Sequence, residues 1–302
     1  MNFFDLILVQ PIFNVLVVIY GLIPGNDFGV ALILFTILIR LAMWPLVKKQ
    51  LRQTKVMREL QPELARIKKK GKGNKQLEAQ MMMELYRERG VNPFGSIGLL
   101  LVQLPIFIAL FAVVNLITQN GETIAKYTYD FLEQIPAINA AIGGQFNESL
   151  LGLIDLTAHA TQPGAGIYWP LMILAVVAAV LQFIQSKQLL PQPKEKKRLR
   201  DMLKEQAKGK QVDQAEMSAL MTNKMVWLFP ILTFLVSIYL AGALVLYLVT
   251  TSAVAVIQQA IVLKKDEEEL GKLSEKTKAR AQRAKPAEVV GKKKRAKKTR
   301  RK

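Results

Sequence analysis

The sequence contains no cysteine. That excludes disulfides, a thiolate nucleophile, cysteine-ligated zinc and a lipobox lipid anchor. It has one histidine, His159, and it lacks HExxH, an intramembrane Ser/His pair and an aspartyl GxGD, so neither metal binding nor membrane proteolysis is expected. Nothing matches GxxxxGK[ST], which leaves no phosphate cradle for a nucleotide-driven motor. No cofactor or metal is expected, and the chain is not expected to be an enzyme. Acidic residues are also scarce, 23 against 42 Lys plus Arg. The apolar runs carry no chain of acids of the kind many proton-coupled transporters use. The opening MNFFDLILVQ has neither the basic start of a secretory signal nor the Arg- and Ser-rich look of a transit peptide, so a bacterial plasma membrane is the expected home.

What is present is apolarity, 51% of 302 residues, divided by strongly basic segments. This is the pattern of a multi-pass membrane protein rather than a soluble nucleic-acid binder. Residues 1–27 are apolar but interrupted by Asp5, Gln10, Pro11 and Asn14, and read as an extracytoplasmic amphipathic helix lying at the interface. Five apolar runs of spanning character follow, at 28–47, 95–117, 166–186, 225–240 and 243–263. Between the first two, residues 48–92 hold thirteen basic residues and five acids, with apolar positions at helical spacing and a Gly71-Lys72-Gly73-Asn74 break. They read as a helical hairpin, kinked or split at Gln61-Pro62. Residues 118–166 hold one basic residue and five acids, whereas 187–224 and the tail 264–302 are basic again. The positive-inside rule then places the hairpin, the second loop and the tail in the cytoplasm, with the N-terminus outside and the C-terminus inside. The tail is expected to be disordered.

The first run, FGVALILFTILIRLAMWPLV, contains a single ionisable residue, Arg40. An arginine inside a span costs about 2.5–3.5 kcal/mol on insertion scales, so its presence needs a reason. Two readings stay open. Arg40 lies seven residues before Val47, roughly 10 Å of helix, and its stem could snorkel to the headgroups. Alternatively it faces a wet cavity and offers charge to something passing through. The remaining polar residues in the spans are uncharged, among them Thr36, Gln103, Asn115, Gln182, Gln185, Thr250, Thr251 and Ser252. Taken singly, each can be a helix–helix hydrogen bond. Met81, Met82 and Met83 either pack the hairpin arms together or form an adaptable contact surface. The terminal GKKKRAKKTRRK packs nine basic residues into twelve without an aromatic. It suits either RNA phosphate or anionic lipid.

Several stretches resemble the YidC/Oxa family of membrane protein insertases: ILFTILIRLAMWPLVKKQ, then QPELARIKKK followed by MMMELYRERGVNPFGSIGLLLVQLPIFIALF, then SLLGLIDL, and finally AGALVLYLVTTSAVAVIQQ. The match covers nearly the whole chain in order. The chain departs from the family pattern at Leu240, Ala243, Leu248 and Ser252, and does not show the large extracytoplasmic domain of some relatives. The resemblance implies an all-α membrane protein. Its five-helix bundle would enclose a hydrophilic groove, open to the cytoplasm and to lipid, formed here by Arg40, Thr36, Gln103, Gln182, Thr251 and Ser252. It implies client contact at Met81, Met82 and Met83. Ribosome binding would fall to Lys292, Lys293, Lys294, Arg295, Lys297, Lys298, Arg300 and Arg301. The implied partners are nascent membrane proteins, ribosomal RNA and the bilayer, with the Sec translocon left open. Two rivals are a solute or anion transporter using Arg40 as counter-charge and a plain membrane anchor for ribosomes. No internal repeat favours the transporter.

Overall fold

The computed structural model describes residues 2–71, 74–90, 92, 97–117, 121–162, 164, 166–189 and 214–284. The chain divides into two units, Met1–Ile257 and Gln258–Lys302, and the packed core lies in the first.

After a π-helical turn, Asp5–Val9, helix α1 spans Gln10–Leu22. Together they make an 18-residue stretch, Asp5–Leu22, of mean hydropathy 1.9, as long and apolar as a membrane span. This departs from the interfacial reading, and Asn14 shows why. Its amide, counted as a polar interruption in the sequence, is buried and fully used. Nδ2 donates to the carbonyls of Gln10 and Tyr127, both at 2.8 Å, and Oδ1 accepts from the Tyr129 N–H at 2.8 Å. A polar group satisfied inside the protein carries no preference for the headgroup layer.

Helix α2, Phe28–Ala42, begins at an N-cap in which Asp27 Oδ1 accepts the Val30 N–H at 2.8 Å. The expected span 28–47 is not one straight helix. It turns at Met43, and α3, Trp44–Glu59, leaves at 62° to α2. Pro45 is the cause: it lacks an N–H and its ring clashes with the carbonyl four residues earlier, that of Leu41, so it cannot continue α2 but fits the first turn of a new helix. Leu60 separates α3 from α4, Gln61–Lys70, and α5 runs Lys75–Glu88 from an N-cap at Asn74. Helix α6 is Ile97–Ile117.

The connection that follows contains α7, Gly121–Tyr127, and α8, Pro136–Ile142. It also holds two small antiparallel hairpins, β1 Ser149–Leu150 with β2 Ile154–Asp155, and β3 Thr161–Gln162 with β4 Gly166–Ile167. Helices α9, Trp169–Leu189, α10, Gln214–Ser237, and α11, Gly242–Ala284, complete the described chain.

Three stretches qualify as spans by length and apolarity, Asp5–Leu22, Trp169–Gln188 and Gly242–Lys264, and a fourth if the bent α2–α3 pair is one crossing. Leu101–Ile117 and Val226–Ser237 are shorter apolar helices. The five-span expectation thus becomes three to four candidates among the described residues. The tail differs too: α11 continues to Ala284, through residues expected to be disordered. Residues 264–284 are rich in Lys, Glu, Leu, Ala and Arg, all good helix formers, and the next proline is Pro286.

The core joins α1, α2, α6 and the start of α11 through Phe13, Leu16, Leu32, Phe35, Leu110 and Leu244. Helix α9 packs on α10, with the rings of Phe183 and Trp227 4.7 Å apart. Their outer sides expose Ile173, Val180, Leu228, Ile231 and Leu235, an apolar surface suited to lipid. The turn before α2, the 121–167 connection and the α10–α11 link meet at one end. Asn147 Nδ2 donates to the Gly25 carbonyl at 3.4 Å, and the Leu151 N–H donates to Asp27 Oδ2. Two N–H groups at the start of α11, from Gly242 and Ala243, donate to the carbonyls of Ala158 and Leu156, both at 2.8 Å. These are donors that a helix start cannot satisfy internally. His159 pairs with Ala241 in an isolated bridge, which gives the sole histidine a structural place. At this end, burial and then the Asp155 charge raise the pKa of Glu148. Its contribution to stability is therefore present at low pH and is lost as pH rises through the raised value.

Candidate functional site

Arg40 sits in the last turn of α2, where a cation is favourable to the helix dipole. It is 8% exposed, so its stem runs within the bundle rather than along the lipid-facing side. One turn earlier, Thr36 is fully buried, and its hydroxyl donates to the Leu32 carbonyl of its own helix at 2.6 Å. That is a local use and leaves Thr36 little to offer a ligand.

The side chain that gathers the other polar groups is Tyr247 on α11. It is buried, accepts a hydrogen bond from Gln103 Nε2 of α6, and interacts electrostatically with Arg40; Thr251, one turn on, is also buried. Two of the residues singled out in the sequence, Arg40 and Gln103, thus meet around one that was not. A tyrosine hydroxyl deep in an apolar run was the available signal, because a buried phenol needs a polar partner. Ser252 is buried beside Thr251, and its carbonyl accepts from Gln185 Nε2 of α9 at 3.1 Å. Gln182 is half-buried on the same helix, one turn before Gln185. Thr250 donates to the Leu246 carbonyl of its own helix at 2.9 Å.

Replacing Tyr247 with Phe removes the acceptor used by Gln103. Interhelical hydrogen bonds in membranes average about 0.6 kcal/mol and reach about 1.7, so the expected loss of stability is small. Thermal unfolding in detergent should show a shift of a few degrees at most; a much larger drop would give Tyr247 a greater part in holding α6 and α11 together than one hydrogen bond supplies.

In the 44–88 region, α4 packs against α5, and Glu63 meets Arg89 through both carboxylate oxygens, at 2.8 and 3.0 Å. Leu60 and Leu85 are buried, whereas Met81 and Met82 are half-buried and Met83 is 57% exposed. Leucines therefore supply the buried apolar contacts here, and the methionines retain accessible surface. The basic residues from Lys292 to Arg301 lie outside the described residues, as does most of 187–224. No cluster of metal-ligating side chains occurs among the described residues.

The chain is similar to known proteins along most of its length. The chain is 32% identical over 240 residues to the protein named membrane protein insertase YidC of Fusobacterium nucleatum, covering 80% of this chain and 88% of that one. It is 26% identical over 239 residues to the YidC of Anaeromyxobacter dehalogenans, 79% of this chain but 33% of the relative. A shorter match to the Tolumonas auensis YidC reaches 46% over 102 residues, 34% of this chain and 18% of the relative. Among solved structures, an active YidC insertase with its first transmembrane domain resolved covers 86% of this chain and 46% of its own, at 26% identity and a TM-score of 0.46. The sequence model of the 60Kd inner membrane protein family matches residues 18–269, most of the chain, and with the Fusobacterium match it shows that the chain belongs to that family.

Proposed function

We propose that the chain is a membrane protein insertase that works without nucleotide hydrolysis. The observation that carries this reading is a buried arginine, Arg40, grouped with Tyr247 and Gln103 between helices of an inner-membrane family whose relatives are named insertases. A client's short translocated tail, carrying Asp or Glu, is drawn towards Arg40, where the reduced dielectric strengthens attraction over its value in water. Neighbouring amide and hydroxyl groups replace part of the lost hydration, which lowers the cost of bringing a charge midway across. The client's apolar helix then moves sideways into lipid, and its burial there drives the step. No ATP and no complete pore are needed.

The α4–α5 pair receives the client first, with Met81, Met82 and Met83 as a soft contact surface. The protein lies in the bacterial inner membrane as a multi-pass chain, with the α2 start and the 121–167 connection outside and the C-terminus cytoplasmic. Its low exposure supports Arg40 inside the bundle over Arg40 snorkelling along lipid. The reading is tested by photocrosslinking. A client stalled during insertion, with a photoreactive group in its acidic tail, should crosslink to α11 around Tyr247–Ser252 and not at Ile173 on the exposed side of α9. Crosslinks confined to the outer surface would argue against an internal path.

Ribosome contact belongs to the basic segments in this reading, with the Sec translocon an open partner. Removing residues 291–302 should weaken co-sedimentation with ribosomes in detergent, and binding by the intact chain should fall steeply with salt as counterions are released from RNA. Binding that survives the truncation with an unchanged salt slope would remove the tail from this role.

A further inference from the structure

The β1–β2 hairpin ends in a turn, Leu151-Gly152-Leu153, whose leucines are 68% and 78% exposed. The Leu153 N–H donates to the Leu150 carbonyl at 3.0 Å, and Leu151 and Gly152 both have positive φ, +54° and +66°. That is the backbone of a type I′ turn, which favours Asn, Asp or Gly in the place Leu151 occupies. A leucine there is sterically unfavourable and, being exposed, gains nothing from core packing. Its side chain needs another use.

The turn is held at a defined depth. Asp27 Oδ2 accepts the Leu151 N–H while Oδ1 of the same carboxylate caps α2 through the Val30 N–H. Ser149 Oγ accepts the Gly152 N–H at 3.2 Å. Gly29 abuts the hairpin so closely that a Cβ there would come 2.8 Å from Leu150 Cα. The tip is therefore level with the first residues of α2, where the apolar run FGVALILF starts. At the other side of the hairpin, Tyr168 Oη accepts the Asp155 N–H at 3.2 Å, and the next residue, Trp169, is exposed at the start of α9. Tryptophan at the end of a span is an interfacial anchor.

The geometry points to a lipid-binding role: Leu151 and Leu153 dip into the acyl-chain boundary of the leaflet at this end, anchoring the 121–167 connection and setting, through Asp27, the depth at which α2 enters the bilayer. The occupant is lipid because the turn is fastened to the start of a membrane helix and flanked by an interfacial tryptophan. The inference rests on the chain residing in a bilayer and not on insertion activity, so it can fail while the proposed function stands.

The absence of cysteine makes the test direct. Single cysteines at Leu151, at Leu153 and at the exposed Gln145 are labelled with an environment-sensitive fluorophore, and the full chain is reconstituted in phosphatidylethanolamine–phosphatidylglycerol vesicles. Labels at 151 and 153 should be blue-shifted, quenched by nitroxides carried near the lipid ester groups, and several-fold less quenched by iodide than the label at 145. Iodide access equal to that at 145 overturns the proposal. Shielding from both quenchers also overturns it, since a second protein copy would then cover the tip. A further variant separates anchoring from folding: Leu151→Asn should keep or raise the melting temperature in detergent, because Asn suits the turn, while making a label at Leu153→Cys more accessible to iodide. A lower melting temperature in detergent would make Leu151 a packing residue and end the anchor reading.

Discussion

Arg40→Ala is expected to abolish insertion of clients whose translocated tails carry Asp or Glu while leaving the protein folded. A charge pair roughly 6 Å apart at an effective dielectric near 20 is worth about 3 kcal/mol. If that attraction acts in the slow step, its loss lowers the rate on the order of a hundredfold. Lys at this position should retain much of the activity, because it keeps the charge though not the planar fork. Glu should be worse than Ala, since it repels the tail. Clients with neutral tails should be nearly indifferent to all three changes. Insertion can be scored by protease protection of the translocated tail, with melting temperature in detergent as the control for folding. Normal insertion of acidic-tailed clients by a stable Arg40→Ala protein would return Arg40 to a structural role.

Met82→Pro should be damaging in a different way. Met82 lies within α5, where proline removes a hydrogen bond and clashes with the preceding turn, a cost of about 3 kcal/mol or more. Little nearby can offset it. Glu63 and Arg89 are solvent-exposed, and such pairs contribute about 0–1 kcal/mol. Insertion should fall for every client regardless of tail charge, which distinguishes this variant from Arg40→Ala. Its counterpart is a shortening of the tip between α4 and α5. Removing 71–74 entirely would also delete Asn74, whose Oδ1 accepts the N–H groups of Gln76 and Leu77, and such a cap is typically worth about 1 kcal/mol. Deleting only Lys72-Gly73 avoids that loss and should be mild. Equal tolerance of Met82→Pro and the tip deletion would argue against an organised receiving element.

The legible parts of this protein were those in which a residue conflicts with its own surroundings. Arg40 stood out because one charge in a long apolar run is costly. What stayed hidden depends on partners distant in sequence. Tyr247 looks like packing in LVLYLV until Gln103, 144 residues earlier, donates to it. Asn14 looks like a surface interruption until the backbone of Tyr127 and Tyr129 uses both ends of its amide, which is why the first helix was placed at the interface. The tail was misjudged for another reason. Composition reports whether a segment can bury a core, and 264–284 cannot, but a helix that continues an existing one pays no nucleation cost and needs only residues of adequate propensity. The five apolar runs were counted by composition, whereas the bend at Met43 and the shorter stretches at Leu101–Ile117 and Val226–Ser237 follow from local geometry.

Insertion of a client by this chain alone, guided by Arg40, is the step on which the proposed function stands. Its most direct test is reconstitution of the purified protein into lipid vesicles without nucleotide or other proteins, followed by addition of a small single-span client with one Asp in its translocated tail. Protease-protected client is expected with the unmodified protein, little with Arg40→Ala, and substantial recovery with Arg40→Lys. Client protection that is identical for all three proteins, or absent from all of them despite correct folding, would contradict it.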